Sequence, residues 1–102
     1  MRPAVLAAAL LLCGCDPFPL PLEPPHDARH VRREYTDEGR HVELNFVATD
    51  AAWAIGVIEI QLRAAGYERC AKPGAWRKER AVAVVSAVEK TVVVRQLLDG
   101  TC

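Results

Sequence analysis

Residues 41–66, HVELNFVATDAAWAIGVIEIQLRAAG, decide the fold, because their pattern changes from strand-like to helical within three residues. Apolar side chains at 42, 44, 46 and 48 alternate with polar ones, which is typical of a strand with one buried face. Thr49-Asp50 then supplies a helix N-cap, and Gly66 supplies a C-terminal stop. The stretch therefore predicts a strand followed by a helix over 51–65.

Segments before and after this unit also have the pattern of strands. Residues 31–35 lead into the turn Asp37-Glu38-Gly39, which predicts a hairpin with the strand at 41–48. Beyond the helix, Lys72-Pro73-Gly74-Ala75 is typical of a type II turn. Seven valines between 82 and 94 then favour two more strands, with the bend at Glu89-Lys90.

The order of elements predicts an α+β domain, with a single helix packed on a small, mostly antiparallel sheet. If the strands that flank the helix are neighbours, they should pair in parallel through a right-handed crossover. The run Leu62-Arg63-Ala64-Ala65-Gly66-Tyr67 before a strand is similar to many ferredoxin-like units, so a ferredoxin-like βαβ unit is one possible form. Proteins of unrelated function share that unit, and it predicts no activity.

The predicted helix is apolar on two sides. One stripe suits packing on the sheet, whereas a second stripe, which contains Trp53, Val57 and Ile60, is rotated away from it. The second stripe needs a separate cover: residues 18–22, the Val-rich C-terminal segment, a second copy, or a partner. Trp53, Val57 and Ile60 are therefore candidate partner-binding residues.

A second candidate surface surrounds Trp76. Arg77 and Lys78 follow it directly, and further basic residues stand at 69, 72 and 80. This local excess of positive charge suits contact with anionic lipid headgroups, glycan or an acidic partner, and it also suits a solvated strand face. Trp76, Arg77 and Lys78 are the second group of candidate partner-binding residues.

Residues 1–14 have the features of a secretory signal peptide. Arg2 supplies a positive charge, residues 4–12 form an unbroken apolar run, and the small Gly14 precedes a polar break. Nine apolar residues rise only ~14 Å as a helix, about half of the hydrocarbon core of a bilayer. The run therefore predicts a cleaved signal and not a stable membrane span.

The end of this run, Leu12-Cys13-Gly14-Cys15, resembles the lipobox of bacterial lipoproteins, in which a small residue precedes an invariant cysteine. The resemblance covers about fifteen residues, and Cys13 departs from the commoner Ala or Ser at its place. It implies that the thiol of Cys15 receives a diacylglyceryl group and that the chain is cut just before it. Two acyl chains on one residue suffice for stable anchoring. The implied location is the bacterial cell envelope, with the domain in the periplasm or extracytoplasmic space.

Five prolines between residues 16 and 25 predict a semi-rigid spacer. Ten residues of polyproline II would reach ~31 Å. Phe18, Leu20 and Leu22 alternate with the prolines, and three destinations are open to them: a partner groove, the lipid interface or the domain itself. The predicted organisation is a signal peptide at 1–14, a lipidated Cys15 with a Pro-rich tether at 15–33, and an α+β domain at 34–102.

Cys70 and Cys102 remain once Cys15 is assigned to lipidation. An exported protein with two spare thiols is expected to pair them as a disulfide. The bond would close about thirty residues, which is worth ~3–4 kcal/mol in the loop-entropy account of disulfides.

Composition and motifs narrow the function classes. The 102 residues contain 13 basic and 13 acidic side chains, so a nucleic-acid binder driven by bulk positive charge is not expected. The sequence has no Gly-rich phosphate loop, zinc signature or nucleophile elbow, and its three histidines lack partners at ligand spacing. No catalytic residue, metal or cofactor is predicted.

The sequence therefore predicts a non-enzymatic envelope lipoprotein, held to the membrane at Cys15, that presents a small binding domain to another envelope protein or a cell-wall component. The alternative is a toxin antagonist or enzyme inhibitor displayed at the membrane, with tight contact through the Trp76 edge. A third hypothesis, an enzyme, requires His26, His30 or His41 to gather with acidic residues in one pocket.

Overall fold

The computed structural model describes residues 18–102, so the predictions for the signal peptide, the lipobox and Cys15 lie outside the described residues. Within residues 18–102, one α-helix packs on a six-stranded sheet in which every pairing is antiparallel. The predicted α+β class, with a single helix on an antiparallel sheet, is confirmed.

The helix α1 (Ala51–Ala64) joins the second and third strands. The strands are β1 (Arg29–Thr36), β2 (His41–Val47), β3 (Glu68–Arg69), β4 (Ala75–Lys78), β5 (Ala81–Val88) and β6 (Thr91–Leu98). Their order in the sheet is β1-β2-β6-β5-β4-β3. Since three strands lie between β2 and β3, the strands that flank the helix are not neighbours, and a ferredoxin-like βαβ unit is not confirmed.

Both ends of α1 have the predicted signals. The carboxylate of Asp50 accepts a hydrogen bond of 3.1 Å from the backbone N–H of Trp53, which caps the first turn. At the other end Gly66 has a φ of +98°, and the N–H of Tyr67 donates to the carbonyl of Leu62 at 3.0 Å. This is the hydrogen bond of a Schellman motif, and it ends the helix within one residue of the predicted position.

The turns between the later strands also follow the sequence. The N–H of Ala75 donates to the carbonyl of Lys72 at 3.2 Å, and Gly74 has a φ of +79°. A Cβ atom at Gly74 would come within 2.6 Å of the carbonyl oxygen of Val85, so glycine is required there for space as well as for φ. The bend at Glu89-Lys90 is present as the tight loop between β5 and β6.

The core lies between α1 and one face of the sheet. Strand alternation places Leu44 and Phe46 of β2 on this face, opposite Val94 and Val92 of β6. A neighbouring cross-strand row on the same face contains Val42, Gln96, Ala83, Trp76 and Arg69. From the helix, the fully buried side chains are Ala54, Ile58 and Leu62.

Residues 18–28, here called the N-terminal arm, lie on the domain and do not form a free spacer. Leu22 is completely buried in the core, and β1 already begins at Arg29, inside the predicted tether of 15–33. The physical reason is that α1 packs mainly on β5 and β6, so the rest of this sheet face needs another cover. Of the three destinations open to Leu22, docking on the domain is the one observed, and the packed chain begins well before residue 34.

The C-terminal residues fold back along the sheet. The guanidinium of Arg77 donates to the carbonyl of Gly100 at 2.8 Å, and the N–H of Asp99 donates to the carbonyl of Arg80 at 2.7 Å. The predicted disulfide between Cys70 and Cys102 is present, with the Cα atoms 5.7 Å apart. The last residue of the chain is thereby joined to the segment that follows β3.

Candidate functional site

The outward side of α1 carries an exposed apolar stripe. Trp53, Val57, Ile60 and Ala64 fall within about 60° of one another, because each helical residue turns ~100°. Trp53 is 50% exposed and Ile60 is 64% exposed, while Val57 is half-buried. Three of the six predicted partner-binding residues thus share one surface, here called the helix stripe (Trp53, Val57, Ile60, Ala64).

The N-terminal arm borders the helix stripe on one flank. The side-chain amide of Gln61 donates to the carbonyl of Glu23 at 2.8 Å and accepts from the N–H of Glu23 at 2.9 Å. Between the arm and the last turns of the helix lies an open apolar groove of about 350 Å³, lined by Leu20, Pro21, Leu22, Gln61, Ala64 and Ala65. The N-terminal arm and α1 therefore lie side by side on the same face of the sheet, joined by the bonds of Gln61.

Trp76 lies on the other flank of the helix, and its placement corrects the prediction that it contacts a partner. It is only 1% exposed, and its indole N–H donates to the carboxylate of Glu59 at 3.3 Å. The guanidinium groups of Arg69 and Arg63 lie 5.2 and 5.7 Å from the centre of its ring. Since Trp76 is on the side of β4 that faces the helix, it is a core side chain.

Arg77 and Lys78 bond to carbonyl groups of their own chain. The ammonium of Lys78 donates to the carbonyl of Ala65 at 2.6 Å, at the C-terminal end of the helix, where a positive charge is favourable. Arg77 projects from the opposite face of β4 and donates to Gly100, as described above, and to the carbonyl of Glu79 at 3.0 Å. The second predicted group thus divides into a core tryptophan and two half-buried cations, of which Arg77 binds the C-terminal segment and Lys78 binds the end of the helix.

These cations line a cleft of about 460 Å³ beside the disulfide. Its lining combines Arg69, Arg77 and Lys78 with Glu68 and Glu79. The cleft thus contains side chains of both charges, and two of its three cations are already bonded to carbonyl groups. The local excess of positive charge predicted from the sequence is therefore largely compensated within the fold.

Two ion-pair groups lie away from the helix. The guanidinium of Arg95 donates to the carboxylate of Glu43 at 2.8 Å across β2 and β6, and this bond, followed by one from Asn45, lowers the pKa of Glu43. Asp99 accepts hydrogen bonds from Arg80 at 2.8 and 2.7 Å and from Arg40 at 2.6 Å. The bonds from Arg80, and then that from Arg40, hold the pKa of Asp99 well below its usual range.

Sequence reasoning missed Gln96, the buried polar residue of β6. Its side chain points into the core face, where Val92 and Val94 also lie, and bonds to the backbone of Leu20. The alternation of Val92, Val94 and Gln96 along one strand indicates that all three side chains point to the same face. An amide on a buried face requires a hydrogen-bond partner there.

The described residues contain no group of three or more His, Cys, Asp or Glu side chains that could hold a metal ion. His26 and His30 lie on the arm and on the edge strand β1, where His30 is exposed. No helix between residues 18 and 102 is both long enough and apolar enough to cross a membrane. Comparisons of the chain with models of protein families, with curated proteins and with solved protein structures find no match.

Proposed function

We propose that this protein is a lipoprotein of the bacterial cell envelope, anchored by lipid at Cys15, whose small domain acts by binding and not by catalysis. The observation that carries the proposal is the sequence Leu12-Cys13-Gly14-Cys15 at the end of an apolar run with a basic start. In this proposal residues 1–14 are a signal peptide, and the domain lies on the extracytoplasmic side of the membrane.

The disulfide between Cys70 and Cys102 supports export. Disulfides persist in the periplasm and outside the cell, whereas cytosolic thiols are kept reduced. The bond closes a loop with a sequence separation of 32 residues in a small domain, where a crosslink adds substantially to a limited core.

The helix stripe supports a binding role. Trp53 and Ile60 expose large apolar side chains on the same side of one helix, two turns apart, and such exposure is typical of a contact surface. The proposed partner is another component of the envelope. The toxin-antagonist or inhibitor alternative depended on contact through Trp76, and because that side chain is buried, no observation favours this alternative.

Metabolic labelling with an alkyne fatty acid tests the anchor. The wild type and the Cys15→Ala and Cys13→Ala variants would be expressed in a bacterium that processes lipoproteins, and the label attached to each protein would be measured. We expect label on the wild type and on Cys13→Ala, which is the matched control, and none on Cys15→Ala. Equal label on all three proteins, or a mature protein that begins at a residue other than Cys15, would overturn the proposal.

A further inference from the structure

We infer that the helix stripe binds the surface of the lipid bilayer in which Cys15 is anchored, so that the domain lies against the membrane with α1 at the interface. This inference rests on the proposed lipidation of Cys15. It goes further by naming the envelope component that Trp53 and Ile60 contact.

The chain between the anchor and the fold has a short reach. Leu20 is bonded at both backbone groups to the side chain of Gln96, so the chain is fixed to the body at that residue. Leu20 is the fifth residue after Cys15, and five fully extended steps of the chain span at most ~18 Å. An anchor at Cys15 therefore holds Leu20 within ~18 Å of the lipidated residue.

The anchored end leaves the domain on the side that carries the helix. Gln96 projects from the face of the sheet that carries α1, and Gln61 of α1 bonds to Glu23 of the N-terminal arm. Arm and helix thus share the outer layer of the molecule. A short tether that starts from this layer brings the layer close to the membrane, and in the inferred arrangement the helix stripe faces the bilayer while the opposite face of the sheet faces away from it.

The exposed side chains of the stripe have the chemistry of an interfacial surface. An indole ring combines a large apolar surface with one polar N–H, and tryptophan is accordingly enriched at the boundary between lipid and water. Ile60 adds an aliphatic side chain two turns further along, and the exposed Arg63 stands next to the stripe, where a guanidinium can pair with lipid phosphate. The inferred contact therefore depends on the exposed Trp53 and Ile60, with Arg63 beside them.

Quenching of tryptophan fluorescence by brominated lipid tests the inference. The full-length lipidated protein would be reconstituted in vesicles of phosphatidylethanolamine and phosphatidylglycerol whose acyl chains carry bromine close to the headgroup. Trp53 is half exposed, whereas Trp76 is buried under Glu59 and the helix. We expect the bromine to remove the share of the emission that comes from Trp53, and to leave the emission of the Trp53→Phe variant unchanged.

Two further variants distinguish contact of the helix stripe with the bilayer from simple proximity of the domain to the bilayer. Ile60 and Val88 are both large, apolar and exposed, but Val88 projects from the face of the sheet opposite the helix. Ile60→Asp should weaken the quenching of Trp53, whereas Val88→Asp, the matched control, should leave it unchanged. Equal effects of the two substitutions would overturn the inference.

The same preparations distinguish this inference from the proposed anchor. If Cys15 carries the fatty-acid label but the fluorescence of Trp53 is not quenched, the lipoprotein proposal stands and the inferred contact of the helix stripe with the bilayer is wrong. The inferred contact with the bilayer is equally wrong if a photo-crosslinker at position 53 captures a protein in place of lipid. If Cys15 carries no label, the anchor fails, and the short reach to the bilayer no longer supports the inference.

Discussion

The side chain of Gln96 holds the backbone of Leu20 at two points. Its Nε2 donates to the carbonyl of Leu20 at 2.9 Å, and its Oε1 accepts from the N–H of Leu20 at 2.8 Å. The two residues are 76 positions apart, and Gln96 is only 3% exposed. An amide on the apolar side of a central strand is thereby satisfied by the N-terminal arm, which depends on it for attachment.

Replacement of Gln96 by leucine should therefore destabilise the fold. The Gln96→Leu variant leaves the N–H and carbonyl of Leu20 without partners in a partly buried place, and each such group costs about 1–3 kcal/mol. We expect the free energy of unfolding in urea to fall by about 2 kcal/mol or more. The control is Gln61→Leu, whose bonds to Glu23 are exposed, so that water can replace them. Equal losses in both variants would contradict this account of the arm.

The two tryptophans should respond very differently to truncation. Trp76→Ala removes a fully buried ring from the core and should cost about 3–5 kcal/mol of unfolding free energy. Trp53→Ala removes an exposed ring and should change that free energy by no more than about 1 kcal/mol. Denaturant unfolding followed by far-ultraviolet circular dichroism measures both. A large loss for Trp53→Ala would mean that the helix stripe is a folding element and not a contact surface.

Reduction of the disulfide should lower stability to a predictable extent. A loop with a sequence separation of 32 residues gives about 3–4 kcal/mol in the loop-entropy account. The Cys102→Ser variant should lose this amount in urea unfolding, and a reducing agent should bring the wild type to the same value. The reducing agent should have no effect on the variant itself, and a further loss there would show that the loss in the wild type does not come from this bond.

The ion pairs of Asp99 with Arg80 and Arg40 should make the free energy of unfolding depend on pH. Arg80 and Arg40 lower the pKa of this carboxyl group in the folded state, below its ordinary value of 3.8. The stabilisation is thus fully present above pH ~4 and is lost as the pH falls toward the folded pKa. The Asp99→Asn variant should be less stable than the wild type at pH 7, and the difference should shrink as the pH is lowered through ~4.

Urea midpoints of both proteins at several pH values measure this difference directly. Asp37→Asn is the control, because the carboxylate of Asp37 lies 4.0 Å from the guanidinium of Arg40, a much longer contact than those of Asp99. Glu43 is present in both proteins, so its own titration cancels in the comparison. A difference between Asp99→Asn and the wild type that stays constant from pH 7 to pH ~3 would contradict the assigned role of the Arg80 and Arg40 contacts.

Elements that depend on local chemistry were predictable from the sequence. Asp50 and Gly66 define the ends of α1 through hydrogen bonds within a few residues, and Gly74 specifies its turn through φ. Alternation in 41–48 identified the buried face of β2, since the period of a strand is fixed by its pleat. Pairing of Cys70 with Cys102 followed from the predicted export of the protein and the count of thiols.

Two placements depend on distant parts of the chain, and local patterns did not reveal them. The burial of Leu22 requires that α1 leaves part of the sheet uncovered, which depends on how far the helix extends over the strands. The burial of Trp76 depends on which face of β4 it occupies, and a shift of the strand register by one residue would place it on the other face. The Pro-rich segment therefore left the destination of Leu22 open, and a tryptophan among cations gave the wrong environment for Trp76.

The attachment of the arm has a mechanical consequence for an anchored domain. In the proposed lipoprotein, a pull on Cys15 acts on Leu20 before it acts on any strand of the sheet, because β1 follows the arm in sequence. The force acts first on the hydrogen bonds of Gln96 and Gln61 and on the packing of Leu22. We expect the arm to detach ahead of the strands, so that the sheet bears the pulling force only after the arm has come away.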